Sequence, residues 1–334
     1  MTARVRRARV ARAAALILPL VCGLTLQGTA TGRTSAAPAA PPADPTPVAR
    51  SEKTVVHRVV WDEFVPSRGG LHLRTALLDG SGSKRLYDIR RGFTTQLTLD
   101  RLGRRVAFAT CCRADLPKLV VVRLRDGKVV KPLARHPAFY AVGGIGWSPS
   151  GRRIAFEGFV QRGQTRTEAL WTVRPDGTGL RRVIGLDGIH ESWVFVNPAL
   201  AWTRRGILYS DGVDLRVASA GSSQVLLPRV NWVRISGDGR HLVMERPGKQ
   251  RLSIWTAAPD ASNARRLFGW QAGPDAQGRY YRDVTPDFGG RRLLAYVDRR
   301  GWPSSKVVVW KVADGRSSGR VLDFLADDYV FAWN

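Results

Sequence analysis

The sequence predicts an all-β fold: a six-bladed β-propeller of four-stranded antiparallel blades, its ring closed by the C-terminal strand joining the N-terminal blade. Three observations predict it. A glycine-led turn followed by an apolar run recurs along the chain. An Asp-Gly turn recurs at a second fixed place in each unit. No stretch keeps a helical period.

The first signal is Gly103-Arg104-Arg105-Val106-Ala107-Phe108. It returns as Gly151-Arg152-Arg153-Ile154-Ala155-Phe156, as Gly239-Arg240-His241-Leu242-Val243-Met244 and as Gly290-Arg291-Arg292-Leu293-Leu294-Ala295. A shorter copy is Gly206-Ile207-Leu208-Tyr209. Glycine permits the tight turn, and the apolar run after it reads as a strand. The second signal comprises Leu78-Asp79-Gly80, Arg125-Asp126-Gly127, Pro175-Asp176-Gly177, Ala220-Gly221, Pro259-Asp260 and Ala313-Asp314-Gly315. Another short apolar run follows each, such as Arg182-Val183-Ile184. The five intervals from Asp79 to Asp314 average about 47 residues, the length of one four-stranded blade. Counting units gives six blades. The first starts at residues 55–64 with what should be its second strand, so its innermost strand is missing. Residues 328–334 resemble the strand before the turn in other blades, such as Leu200-Ala201-Trp202, and are expected to supply it. That pairing removes the exposed edges of an open sheet.

The segment Trp147-Ser148-Pro149-Ser150-Gly151-Arg152-Arg153-Ile154-Ala155-Phe156, followed by Leu170-Trp171-Thr172-Val173-Arg174-Pro175-Asp176-Gly177, resembles the tryptophan-aspartate-like repeat of TolB-like propellers. Weaker copies fill residues 55–334. The resemblance implies the fold and is nearly silent about function. Similar propellers occur in the periplasmic TolB translocation protein and on prolyl oligopeptidase-like enzymes. TolB carries a separate α/β domain before its propeller. Only a short tether precedes Val55 here, so that domain and a Tol-type role are not expected.

Residues 1–30 read as a signal peptide. Arg4, Arg6, Arg7, Arg9 and Arg12 form its positive region, residues 13–26 its apolar region, and Gly28-Thr29-Ala30 offers small residues for cleavage. Retention of this leader is the one expected route to a membrane. Cys22 is not preceded by a good lipobox. Residues 31–53, rich in Ala, Pro and Thr, read as a disordered tether, and residues 54–334 as the propeller. The hydrophobic fraction of 44% excludes global disorder. The expected location is extracellular or at the cell envelope, and the Arg- and Ala-rich composition resembles that of GC-rich actinobacterial genomes. A net charge of +26 favours anionic partners. For an exported chain these are a protein or an anionic envelope polymer. Nucleic acid is not expected, because no DNA- or RNA-binding signature accompanies the charge. The chain is expected to be monomeric.

No catalytic residue is assigned. Gly315-Arg316-Ser317-Ser318-Gly319 matches the nucleophile-elbow pattern, whose chemistry needs a strand-to-helix turn with an acid and a His downstream. Here it falls on an expected hairpin turn and no His follows. His57, His72, His136, His190 and His241 make no pair at metal-ligand spacing, so no metal or cofactor is expected. Cys111 and Cys112 are adjacent in an expected loop of blade 2, where a vicinal disulfide and a pair of loop thiols without a ligand role are the alternatives.

In a propeller, the connection between blades and the loop between a blade's second and third strands share one face. That places Tyr140, His190, Trp193, Trp232 and Tyr281 ahead of inner strands. It places Arg113, Arg162, Arg299, Arg300 and Trp302 in the companion loops. Aromatics mixed with Arg resemble an interaction surface. The alternative is that the aromatics fill the core between blades. The expected function is non-enzymatic binding of a protein partner or anionic envelope component through this face. The competing expectation is a propeller enzyme, a lyase or hydrolase on sugars or peptides, with channel residues from several blades.

Overall fold

Short turns between apolar runs bring each run alongside the one before it, so strands pair with their sequence neighbours in antiparallel register. A computed structural model describes residues 58–65, 70–89, 93–111, 118–136, 138–186, 200–248, 251–271, 279–287, 289–299, 306–313, 316–322 and 331–333. The leader expected over residues 1–30 and the tether expected over residues 31–53 lie outside them.

Blade 1 contains β1 (Arg58–Val65), β2 (Gly70–Leu77) and β3 (Lys84–Ile89). Blade 2 contains β4 (Phe93–Leu99), β5 (Arg105–Cys111), β6 (Leu119–Arg123) and β7 (Val129–Val130). Blade 3 contains β8 (Phe139–Trp147), β9 (Ile154–Arg162), β10 (Thr165–Val173) and β11 (Arg181–Gly185). Blade 4 contains β12 (Leu200–Thr203), β13 (Gly206–Ser210), β14 (Asp214–Ser219) and β15 (Ser222–Pro228). Blade 5 contains β16 (Trp232–Ile235), β17 (Leu242–Pro247), β18 (Arg251–Ala257) and β19 (Arg265–Gln271). Blade 6 contains β20 (Arg279–Pro286), β21 (Arg292–Arg299), β22 (Lys306–Lys311) and β23 (Arg316–Leu322). The last strand is β24 (Phe331–Trp333).

Blades 2 to 6 are four-stranded meanders, while the remaining sheet has the order β24-β1-β2-β3. As expected, the C-terminal strand completes the first blade. It runs antiparallel to β1, with Val59, Val60 and Trp61 opposite Trp333, Ala332 and Phe331. Inner strands touch around a closed circuit: β4 with β8, β8 with β12, β12 with β16, β16 with β20, β20 with β24 and β24 with β4.

Both faces of each blade are covered, which explains why the runs after the Gly-Arg-Arg turns do not alternate with polar residues. Side chains still alternate in direction along a strand. In β5, Val106 and Phe108 join the cluster shared with blade 1, while Ala107 and Ala109 join the cluster shared with blade 3. In β9, Ile154 and Phe156 face blade 2, and Ala155 faces blade 4. Val59 and Trp61 meet Leu294 and Val309 of blade 6, which seals the ring. Hydrogen bonds cross the same interfaces. Ile145 N–H donates to Gln96 Oε1 at 2.8 Å, and the Trp147 indole to the Thr98 carbonyl at 3.0 Å.

After this run in the second strand, three alternate blades carry a buried carboxylate: Asp62, Glu157 and Glu245. Each accepts from a donor at an inner strand. Thr94 Oγ1 donates to Asp62, Gly144 N–H to Glu157 at 3.2 Å, and Asn231 Nδ2 to Glu245 at 2.8 Å. A buried carboxylate is tolerable only with such partners. For Glu157 one backbone donor is not enough: burial pushes its carboxyl up to about 7, and the Gly144 N–H offsets only part of this.

The folded chain therefore holds a proton on Glu157 that the unfolded chain releases above the ordinary value of 4.5. Its contribution to stability is full below that value and falls as pH rises towards 7, by about 3 kcal/mol in all. Urea unfolding at pH 5 and pH 8 should show this loss in the parent and its absence in Glu157→Gln. A variant with the parent's pH dependence would place the titration on another group. A second expectation concerns closure. A chain ending before Phe331 lacks β24 and exposes the β1 edge, so it should melt without a sharp transition or self-associate, as read by calorimetry and sedimentation.

Candidate functional site

Blades 2 to 6 each have a turn face, where the first strand passes to the second and the third to the fourth, and an opposite loop face. On the turn face, five first-to-second turns open with a side-chain acceptor: Asp100, Ser148, Thr203, Ser236 and Asp287, Thr203 Oγ1 accepting the Arg205 N–H at 3.2 Å. Asp100 Oδ1 accepts the N–H groups of Arg104 at 2.7 Å and Arg105 at 3.2 Å. Asp287 Oδ1 accepts those of Arg291 at 2.7 Å and Arg292 at 3.1 Å. Ser148 Oγ and Ser236 Oγ each accept at 3.0 Å, from Arg153 and His241. Gly103 and Gly239 occupy their turns at φ of 60° and 72°, a backbone state that side chains disfavour.

The second basic residue of the repeat is consumed by structure. Arg105 Nε donates to Asp100 Oδ2 at 2.8 Å and Nη2 to the Gly151 carbonyl of the next blade at 2.6 Å. Its guanidinium also lies 4.7 Å from the Trp147 ring centroid. Arg292 Nε donates to Asp287 Oδ2 at 3.0 Å. Arg153 Nη2 donates to Thr172 Oγ1 at 2.9 Å and to the Gly179 carbonyl at 2.6 Å.

Other arginines on this face are placed differently. Arg101 from blade 2, Arg204 and Arg205 from blade 4 and Arg240 from blade 5 line a cleft of about 490 Å³. The cleft shares Arg101, Pro149 and Gly239 with a cavity of about 80 Å³ at the ends of the inner strands, lined also by Gln96, Thr98 and Arg234. The basic cleft therefore continues into the channel mouth. Two carboxylates, Asp238 and Asp260, face these four guanidiniums. Asp260 pairs with Arg205 at 3.4 Å. Asp238 is tied to its own turn, accepting from Ser236 Oγ at 2.6 Å and Arg240 N–H at 2.9 Å. Among the described residues, Arg101, Arg204 and Arg240 have no ion-pair partner. Burial lowers the Arg101 guanidinium's hold on its proton. Asp238 partly offsets this, and Arg204 and Arg240 add repulsion.

Sequence reasoning missed this cluster. A signal was present: Arg101 and Arg204 both stand one residue after the acceptor, where the other turns carry Pro149, Gly237 and Phe288. The convergence of Arg101 with Arg204 and Arg240 was not legible.

On the loop face, Tyr140 near the start of β8 is half-buried, edge-on to Phe159 with centroids 6.1 Å apart and 5.6 Å from the Arg166 guanidinium. Arg162 closes β9 and is exposed. Trp232 opens β16 but is only 8% exposed, packed in the core shared by blades 4 to 6. Burial pushes the carboxyl of Glu245, its partner across the strand pair, up, and the Asn231 and Trp232 side chains offset part of this. Tyr281 pairs with Val297 within β20, and Arg299 closes β21 opposite Arg279. The side chains of Tyr281 and Arg299 lie outside the described residues, as do Arg113, His190, Trp193, Arg300 and Trp302. Cys111 ends β5, and Cys112 lies outside the described residues, as does the choice between a vicinal disulfide and a pair of loop thiols. Residues 316–319 belong to the outer strand β23, not to the expected turn, because Arg316 and Ser317 pair with Lys311 and Trp310. Among the described residues, no group of three or more His, Cys, Asp or Glu could hold a metal. No described helix is long and apolar enough to cross a membrane.

No protein-family model matches the sequence, and no curated protein matches it. Solved structures do. TolB from Acinetobacter baumannii is 12% identical with a TM-score of 0.56, over 83% of this chain and 66% of that one. A chain from a nidogen/laminin complex is 14% identical with a TM-score of 0.55, over 83% and 98%. An oligogalacturonate lyase in complex with manganese is 11% identical with a TM-score of 0.51, over 74% and 69%. The chain thus spans just under two thirds of the TolB chain. At such identities the likeness is one of fold, and the fold is that of six-bladed propellers. More narrowly, the chain is a TolB-like six-bladed propeller, as its repeat indicates.

The two kinds of turn arginine should separate on mutation. Arg105→Leu leaves Asp100, whose side chain is 3% exposed, without its partner and should lose about 2–3 kcal/mol of stability. Arg101→Gln should change stability by no more than about 0.5 kcal/mol. Urea titration of both variants checks the contrast.

Proposed function

We propose that this chain is an exported, non-catalytic propeller that binds an anionic partner, an envelope polymer or an acidic protein, through its basic turn face. The observation that carries this reading is the convergence of Arg101, Arg204, Arg205 and Arg240 on one cleft with only two aspartates. Guanidinium groups present a rigid donor fork matched to oxyanions, and here they project from tight turns on a closed ring. The net charge of +26 would draw such a partner in. Export rests on the leader-like residues 1–30. A nidogen/laminin complex contains a chain of the same fold, which supports the use of such a ring for protein contact.

The competing enzyme reading would need a free carboxylate or nucleophile at the channel. Asp100, which lines the mouth, is bonded instead to Arg105 and to its own turn. That supports binding over catalysis.

Co-sedimentation of the purified chain with isolated envelope polymers tests the proposal. An Arg101→Gln/Arg204→Gln variant should bind at least about tenfold more weakly, and binding by the parent should fall with salt. Loss only in Trp193→Ala/Trp302→Ala would move the interface to the loop face. Equal binding by all three proteins would reduce it to diffuse charge.

A further inference from the structure

The turn-face cleft allows the ligand class to be narrowed, on the footing that it binds anions as proposed above. The first consideration is charge. Four guanidiniums face two aspartates, so a surplus of two positive charges remains. One of the aspartates is already paired with Arg205, and the surplus falls on Arg101, Arg204 and Arg240. A single carboxylate would leave half of it uncompensated. A phosphate monoester dianion, or two consecutive phosphodiesters, would balance it.

The second consideration is direction. Arg101, Arg204 and Arg240 reach the cleft from blades 2, 4 and 5, three separate points on the ring. A carboxylate is planar and is met best by one fork in its plane. A tetrahedral phosphate presents oxygens out of any one plane, so donors arriving from several sides can each find one. The third consideration is desolvation. Arg101 is partly buried, with Arg204 and Arg240 nearby and Asp238 offsetting only part of the burial, and it forms no ion pair among the described residues, an arrangement that a bound oxyanion would relieve. The fourth is size. A cleft of about 490 Å³, walled by Pro149 and Pro259, is larger than a lone phosphate ion needs and suits an attached organic group.

We propose that the cleft lined by Arg101, Arg204, Arg205 and Arg240 is a binding site for a phosphate-bearing organic ligand, either a soluble phosphate monoester or a phosphodiester-linked chain.

Calorimetric titration of the full chain at matched ionic strength tests this with three probes: glucose 6-phosphate, a poly(glycerol phosphate) oligomer and an oligogalacturonate as the carboxylate control. Arg101→Gln/Arg204→Gln and Arg240→Gln provide two independent lesions, each checked for an unchanged melting curve. At least one phosphate probe should bind about tenfold more tightly than the oligogalacturonate, and each variant should lose about tenfold in that affinity. Arg101→Lys/Arg204→Lys, which keeps charge but not the fork, should recover only part of it. Preference for glucose 6-phosphate would assign a soluble monoester, and preference for the oligomer a phosphodiester chain. If the oligogalacturonate binds as tightly and is lost in the same variants, the phosphate assignment is wrong while the anion-binding reading stands. If no probe binds in an arginine-dependent way, both are wrong.

Discussion

The pairing of β24 with β1 is the constraint on which the rest of the ring depends. Each blade is a twisted sheet with two apolar faces, and a face is buried only when another blade lies against it. Five of the six interfaces join blades that follow one another in the chain. The sixth sets Val59 and Trp61 against Leu294 and Val309 across most of the sequence. It forms only if both ends of the folded chain contribute to one sheet. Without it, two apolar faces and an unpaired inner edge would meet water.

Closure also determines what the arginines can do. The second arginine of each Gly-Arg-Arg turn works locally or reaches one blade along, as Arg105 does to Gly151. These contacts hold turns at a fixed height on the ring. Against that frame Arg101, Arg204 and Arg240 line one cleft, and the scaffold holds Arg204 and Arg240 close enough to repel Arg101 despite Asp238. One residue type thus serves both as a tie between blades and as surplus charge at the channel mouth. A count of charges along the chain cannot separate the two populations.

The buried carboxylates show a similar tension. Asp62, Glu157 and Glu245 occupy corresponding places on alternate blades and tether donors at the inner strands. The intervening blades 2 and 4 carry Ala109 and Ser210 at that place, which need no such partner of the same kind. Burial raises the carboxyls of Glu157 and Glu245, so the inner strands are held by groups that favour the protonated form.

The repeat and the six blades were legible in the sequence because each rests on short-range chemistry, and the closing strand was legible because residues 328–334 resemble the inner strand that the first blade lacks. A glycine at positive φ, an acceptor within a few residues of it and an apolar run are all local features. The site was only partly legible. Tyr140 and Trp232 look alike in sequence, each an aromatic near the head of an inner strand. The register that sets Trp232 against Glu245 makes it a core residue, while Tyr140 stays half-buried beside Arg166. Arg101 and Arg204 share a place in their turns that Pro149 and Gly237 take in others, but they lie far apart along the chain, as does Arg240. By itself, the sequence determined the blades and their order, since strand pairing between neighbours follows from local turns and patterning. Only the tertiary structure decided which charges meet, because residues remote in sequence become adjacent only when the ring closes.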